Sequence, residues 1–330
     1  MKIGIIGNGF VGGHLANNLL LSQINFVIFS KEDFENDLFN SNDFHQCTHV
    51  FLLAGINRHQ DDDFILNENL RIVEKFCNSL KKLKTKFPHI FFSSSVQEKS
   101  KSTYGIAKKK CRQYLEMKSS EIGFGLTSFI IPNVFGPFCK PYYNSVVSTF
   151  CFQISRKIST EIKIDKELSL IYIDDLIELF LKEINTPKTR TIKKFETHNI
   201  KVSDLLEKIK SFYSDYVDNN TFPKFNNNFE FKLFLTFYNY FDFKNYFPKK
   251  LLLNNDSRGI FAEIFKSNSK SQISFSTTKA NIIRGNHFHK RKFERFCVIK
   301  GIASIKIKNI WSVEGEEIEF ELNGNNQSYV

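Results

Sequence analysis

A doubly wound, parallel α/β sheet followed by a smaller all-β region is the fold class that this 330-residue sequence predicts. Three observations carry that prediction. The chain opens on "MKIGIIGNGFVGG", an apolar run that breaks into closely spaced glycines. Strand-like apolar runs then alternate with helical periodicities, the pattern of a parallel sheet with crossover helices. At "PKKLLLNNDSRG" (248–259) the texture changes to short alternating segments separated by Gly, Asn and Lys.

Taken in order, "KIGIIG" (2–7) reads as a buried strand, and Val11, Leu15, Leu19 and Leu20 recur at helical spacing after it. "NFVIFS" (25–30) and "THVFLLAG" (48–55) are further strands. A helix over 64–84, the strand "HIFFSSS" (89–95), a helix over 103–117, a strand over 126–131 and a helix near 144–157 follow. From 200 to 247 the chain is helical and aromatic, as in "FKLFLTFYNYF", and reads as an extension packed on the first domain. The predicted boundary divides 1–250 from 251–330. Beyond it, "QISFSTT", "FCVIKG", "ASIKIKN" and "EIEFEL" alternate with period two, which argues for a sandwich or barrel.

Composition narrows the function. With 42% hydrophobic and 25% charged residues the chain is an ordinary globular one, long enough for about two domains. Its 37 Phe against two Met and one Trp fit a bias toward A/T-rich codons. The net charge of +11 comes from scattered lysines, as in "KKLKTK" (81–86) and "KKK" (108–110). No basic stripe is interleaved with aromatics, so nucleic acid is not the expected partner, and an anionic small substrate suits the charge. Six cysteines form no CxxC pair, which points to a reducing compartment. The chain starts directly on a strand-like run and has no bilayer-length apolar stretch, so a cytoplasmic protein without membrane contact is expected.

Gly7, Gly9 and Gly12 form G-x-G-x-x-G between strand and helix, the context a Rossmann-type dinucleotide turn needs. Gly7 permits the tight turn, Gly9 lets backbone approach a pyrophosphate, and Gly12 lets helix and sheet close up. Phe10 and Val11 lie in the same turn, at the helix end whose free N–H groups favour phosphate. At the end of the second strand, where an acidic residue would bind a ribose 2′-hydroxyl, stand Ser30 and Lys31. A hydroxyl and a cation favour a 2′-phosphate, so NADPH is the expected cofactor.

Tyr104 and Lys108 are four apart on one predicted helix, so both side chains point the same way. A neighbouring ammonium favours the phenolate of a tyrosine, which makes the phenol a better proton shuttle. Ser95, ending the preceding strand, can donate to a carbonyl oxygen and orient it. The Tyr-x-x-x-Lys spacing alone is common on solvated helices. Behind a serine-ended fourth strand and a dinucleotide turn, it is specific.

These residues resemble the extended short-chain dehydrogenase/reductases that act on nucleotide sugars. "FLLAGINR" (51–58) is similar to the turn after their third strand, and the resemblance implies that Leu53, Ala54 and Gly55 pass the cofactor. Asn69 in "NENL" matches their helix asparagine and, with Tyr104 and Lys108, falls in the implied cofactor site. "PNVFGPFCKPYYNSVVSTF" (132–150), "YIDDL" (172–176) and "DSRGIFAEIFK" (256–266) resemble, more narrowly, the bifunctional reductase/cupin enzymes of capsular-polysaccharide synthesis in the UDP-N-acetyl-L-fucosamine pathway. That likeness implies a UDP-sugar held by Asn133, Lys140, Tyr143 and Asn144, and a homodimer. Asn133 also reads as a turn residue after Pro132. This chain has "FIIPN" where relatives often carry an arginine before "PN", so that cation must come from elsewhere or be missing.

His287 and His289 alternate on a predicted strand and so face one side. With Glu294 and Gly301 they make H-x-H-x4-E-x6-G, which resembles the first motif of the cupin barrel and implies a divalent metal, best Zn2+. Such a metal can polarise a ketone and acidify the adjacent C–H. No His follows His289, where a second cupin motif normally supplies one, so the barrel reads as either cut short or degenerate. The resemblance implies C3 epimerisation of a 4-keto sugar in the cupin and hydride transfer to C4 in the reductase. A nucleotide-sugar 4-epimerase, a dTDP-4-keto-rhamnose-type reductase and a non-catalytic NADP(H)-binding scaffold are the alternatives.

Overall fold

The structure is a computed structural model that describes residues 1–83, 86–290, 293–308, 317–326 and 328–330. It begins with β1 (Ile3–Ile6), α1 (Phe10–Leu21), β2 (Phe26–Phe29), α2 (Lys31–Glu35), α3 (Asn42–His45), β3 (His49–Leu52), α4 (Asp62–Lys82), β4 (His89–Ser95) and α5 (Thr103–Ile122). Then come β5 (Leu126–Ile131), β6 (Asn133–Phe135), α6 (Val146–Ser155), β7 (Glu167–Tyr172), α7 (Ile173–Asn185), β8 (Arg190–Ile192) and β9 (His198–Lys201). Three helices follow, α8 (Val202–Tyr213), α9 (Asn228–Tyr238) and α10 (Phe243–Tyr246).

Six strands form one parallel sheet in the order β2-β1-β3-β4-β5-β8. Every residue of β1 and β5 is buried, as strands covered on both faces must be. The alternation is visible in β1: Ile3 and Ile5 join the core that holds Leu15 and Leu19 of α1 and Phe180 of α7, whereas Ile6 joins the core of Val73, Phe76 and Leu115 on the opposite face. Phe51, Phe91 and Phe129 sit side by side on three adjacent strands, with ring centroids 4.5 and 6.1 Å apart. Much of the phenylalanine is therefore core.

The helices carry the expected end signals. Asp61 caps α4 by accepting from the Asp63 N–H, while Lys81 and Lys82 sit at the opposite, negative end of the helix dipole. The helix α5 runs to Ile122, past the predicted 117. Ser119 donates its hydroxyl to the Phe124 carbonyl instead of ending the helix, and Gly123 (φ +93°) makes the stop. The sequence pattern signals no strand between 132 and 199, yet β6, β7 and β9 form a second, three-stranded sheet. Its strands are only three to six residues long, too short for a periodicity to declare itself.

The chain packs as two compact units, Met1–Leu252 with Glu263–Phe275, and Leu253–Ala262 with Ser276–Val330. Residues 263–275 join the first unit where Phe222 bridges Ser267 and packs on Phe265 with ring centroids 4.6 Å apart. The β region consists of β10 (Leu253–Asp256), β11 (Gly259–Lys266), β12 (Gln272–Ser276), β13 (Ile302–Lys308) and β14 (Glu317–Asn323). β10 and β11 are antiparallel, as are β13 and β14. The predicted strand "FCVIKG" is reduced to a single bridge between Cys297 and Tyr329.

Candidate active site

The glycine turn between β1 and α1 is built as its spacing requires. Gly7 has φ +108°, and a Cβ there would lie 2.4 Å from the Ala54 nitrogen. A Cβ on Gly12 would lie 2.0 Å from the Gly7 carbonyl oxygen, so the helix closes on the strand only because neither residue has a side chain. At Gly9 a Cβ would meet nothing within 4 Å, and Gly9 caps α1 without any side-chain bond. The first N–H groups of α1, which include those of Phe10 and Val11, are thus left for an anion. Leu53 and Ala54 both donate backbone N–H to the Ile6 carbonyl at 2.8 Å, which ties the turn after β3 to the glycine turn.

Asn69 is buried on α4 and shapes that same turn. Its amide donates to the carbonyls of Ile56 and Ile65, both at 2.7 Å, and accepts from the Ile56 N–H at 3.2 Å. These bonds use both ends of the amide, so Asn69 positions the loop rather than reaching outward. A Cβ on Gly55 would stand 2.9 Å from Asn69 Oδ1 and 3.1 Å from Lys108 Nζ, so this glycine lets the turn close over both.

Ser30 caps α2 in a capping box: its hydroxyl accepts from the Asp33 N–H, and the Asp33 carboxylate accepts from the Ser30 N–H at 2.7 Å. The bond from Ser30 holds the Asp33 carboxyl below its usual range. Asp33 is thereby turned back on its own helix, while Lys31 is exposed at the first helical position.

Ser95 ends β4 and accepts from the Gln97 N–H at 3.2 Å, so its own proton is free to donate. Tyr104 lies in the first turn of α5, and Lys108 follows one turn later. Lys108 is buried, donates from Nζ to the Ser93 carbonyl at 2.8 Å, and stands 5.0 Å from the Phe92 ring centroid and 5.9 Å from that of Tyr104. The sequence reading expected the ammonium to favour the Tyr104 phenolate. In the folded chain burial wins instead. It pushes the phenol up to about 12, with Tyr143 opposing ionisation further. Burial also pulls Lys108 down to about 8, against the smaller upward pull of Cys111 and Glu98.

The loop between β6 and α6 comes to this centre. Tyr143 is close enough to oppose ionisation of Tyr104, Lys140 Nζ lies 5.9 Å from the Tyr143 ring, and Asn144 is exposed beside them. Arg58 Nη1 donates to the carbonyls of Tyr142 (2.9 Å) and Tyr143 (3.2 Å), fastening this loop to the turn after β3. Asn133 starts β6, donates to the Ser169 carbonyl at 3.3 Å, and lines a cleft of about 500 Å3 with Lys99 and Lys166. Those two lysines stand near Asn133, where "FIIPN" brings no arginine. Arg58 and Gly105 were not singled out by sequence reasoning. A Cβ on Gly105 would lie 2.1 Å from the Gln97 carbonyl oxygen, so Gly105 lets α5 seat Tyr104 against the turn after β4. Adjacency to Tyr104 is the signal that could have found it.

The profile of the NAD dependent epimerase/dehydratase family matches residues 5–200, more than half of the chain and the whole span from glycine turn to substrate loop. The chain belongs to that family. This epimerase/dehydratase-family chain is an oxidoreductase with a nicotinamide cofactor. It is 30% identical over 318 residues to the UDP-2-acetamido-2,6-beta-L-arabino-hexul-4-ose reductase of Pseudomonas aeruginosa, covering 94% of this chain and 83% of the relative. Among solved structures it resembles the capsular polysaccharide assembling protein CapF of Staphylococcus aureus, with 29% identity and a TM-score of 0.82 over 100% of this chain and 89% of that one. The UDP-glucose 4-epimerase of Thermotoga maritima, 19% identical with a TM-score of 0.60 over 73% of this chain and 98% of that one, shares the fold.

Residues 254–330 of the family member match a second profile, the polysaccharide biosynthesis C-terminal domain. There His287, His289 and Glu294 bring one ligand atom each within 4.8 Å of one another. Glu294 Oε2 lies 3.0 Å from His289 Nε2 and 3.8 Å from His287 Nε2. A tetrahedral zinc with bonds of about 2.0–2.1 Å sets its ligand atoms about 3.4 Å apart, so the donor set and spacing fit zinc. Among the described residues, no helix is long and apolar enough to cross a membrane.

Proposed function

We propose that the enzyme uses NADPH to reduce C4 of UDP-2-acetamido-2,6-dideoxy-4-hexulose to the L-talose form. The observation that carries the reading is the half-buried Tyr104 phenol at the cleft, one helical turn from the buried Lys108 ammonium and beside the turn that closes on the glycine loop. A bound nicotinamide would supply the hydride. With its phenol pushed up to about 12, Tyr104 is protonated at neutral pH, the form that donates a proton to the reduced C4 oxygen. Ser95 has its hydroxyl proton available to steady that oxygen, and Lys108 keeps two protons beyond the one given to Ser93 for a ribose hydroxyl and the phenolate that forms. Lys99 and Lys166 beside Asn133 suit a diphosphate, and Ser30 with the exposed Lys31 suits a 2′-phosphate. The reductase activity named for the Pseudomonas relative supports the same substrate class.

Incubation with NADPH and the 4-keto UDP-sugar should consume one NADPH per sugar and give, by NMR, a product reduced at C4. Inversion of a 4-hydroxyl with no net NADPH consumption would favour an epimerase instead. For the C-terminal region we propose that His287, His289 and Glu294 hold Zn2+, which would supply Lewis acidity for C3 epimerisation. Calorimetric titration with Zn2+ should then give one site per chain, and His289→Ala should abolish it. Equal binding by the variant would remove these ligands from consideration.

A further inference from the structure

Asn57 has been given no role so far. Its side-chain Oδ1 is buried and has no hydrogen-bond partner. A buried polar group without a protein partner destabilises a folded chain, and where its residue lines a cleft a bound ligand can supply the partner. Asn57 does line a cleft, of about 410 Å3, together with Arg58, Gln97, Lys101 and Tyr104.

The chain on either side of Asn57 is also held. Ile56 before it is clamped by Asn69 through two hydrogen bonds, and Arg58 after it is anchored on the carbonyls of Tyr142 and Tyr143. Backbone movement is thus restrained, while the broad amide torsion leaves the half-buried side chain able to turn toward the cleft.

We infer that Asn57 is a substrate-binding residue whose amide oxygen accepts a hydrogen bond from an N–H or O–H of the hexose held against Tyr104. This rests on the nucleotide-sugar reading above and adds the group that reads the sugar. A 2-acetamido N–H and a ring hydroxyl are the two donors that fit, and they are separable by experiment.

The test uses the full chain and Asn57→Leu, which keeps the shape of the side chain and removes both polar atoms. Dissociation constants would be measured calorimetrically for UDP-N-acetylglucosamine, UDP-glucose and NADPH, with Tm followed in parallel. Loss of one hydrogen bond should weaken nucleotide-sugar binding about tenfold, leave NADPH affinity unchanged, and raise Tm because the unpartnered atom is gone. Weakening confined to UDP-N-acetylglucosamine identifies the acetamido N–H, and weakening of both sugars identifies a hydroxyl. Undiminished binding of both, or a loss that falls on NADPH, overturns the inference. Wild-type protein that binds neither sugar nucleotide overturns the nucleotide-sugar reading and this inference with it. Should the Leu variant not fold, Asn57→Ala gives the same comparison of ligands.

Discussion

Tyr104→Phe should lower the rate of ketone reduction by about 100- to 10,000-fold, the range associated with a positioned general acid, while NADPH binding stays as it was. The phenol sits on α5 at the cleft and carries a proton that its surroundings hold on firmly. The substitution removes a single oxygen from a half-buried ring and leaves the ring and its contact with Lys108 in place, so Tm should move by no more than about 2 °C. The pH profile adds a second readout. Burial keeps the phenol protonated until about pH 12, so Tyr104 should impose no alkaline limb near pH 10 on kcat/KM. The Lys108 ammonium, held near 8, should impose the limb instead. A Phe variant that still oxidises NADPH at the wild-type rate on the keto-sugar would end the assignment of Tyr104 as the acid.

The parts of the protein legible in its sequence are those where one residue type has one physical use. Gly7 and Gly12 can be read because no side chain fits where they stand, and the fourfold spacing of Tyr104 and Lys108 survives whatever the helix packs against. Buried parallel strands such as Leu126–Ile131 announce themselves as unbroken apolar runs. The small sheet of residues 133–135, 167–172 and 198–201 does not, since its pairing is decided by tertiary contacts between short segments far apart in sequence. The same holds for Arg58, whose meaning lies in two backbone carbonyls more than eighty residues away. Charge spacing suggested how Lys108 would act on Tyr104 but not the outcome. Burial, which no spacing encodes, dominates both groups.

Lys108→Met should separate stability from function, because the same burial that tunes the lysine works against the fold. The folded pKa of about 8 lies below the ordinary 10.5, so the charged form is disfavoured in the native state. That penalty is fully present below pH 8 and is relieved as pH rises from 8 to 10.5, where the unfolded chain binds the extra proton. At one pKa unit per 1.36 kcal/mol, the shift corresponds to about 3 kcal/mol. The lost hydrogen bond to the Ser93 carbonyl returns about 1–2 kcal/mol of that. A net gain of about 1–2 kcal/mol at pH 7 should raise Tm by about 3–6 °C for a unit of this size. Methionine fills the same channel over Phe92 without a charge, and reduction should fall by at least about 100-fold for want of a group to steady the phenolate. Thermal melts between pH 6.5 and 10.5 make the comparison: the wild-type curve should climb toward that of the Lys108→Met variant as pH passes 8. A variant that melts lower than wild type at pH 7 would mean that the ammonium holds the fold together, and its burial would then no longer identify it as a functional group.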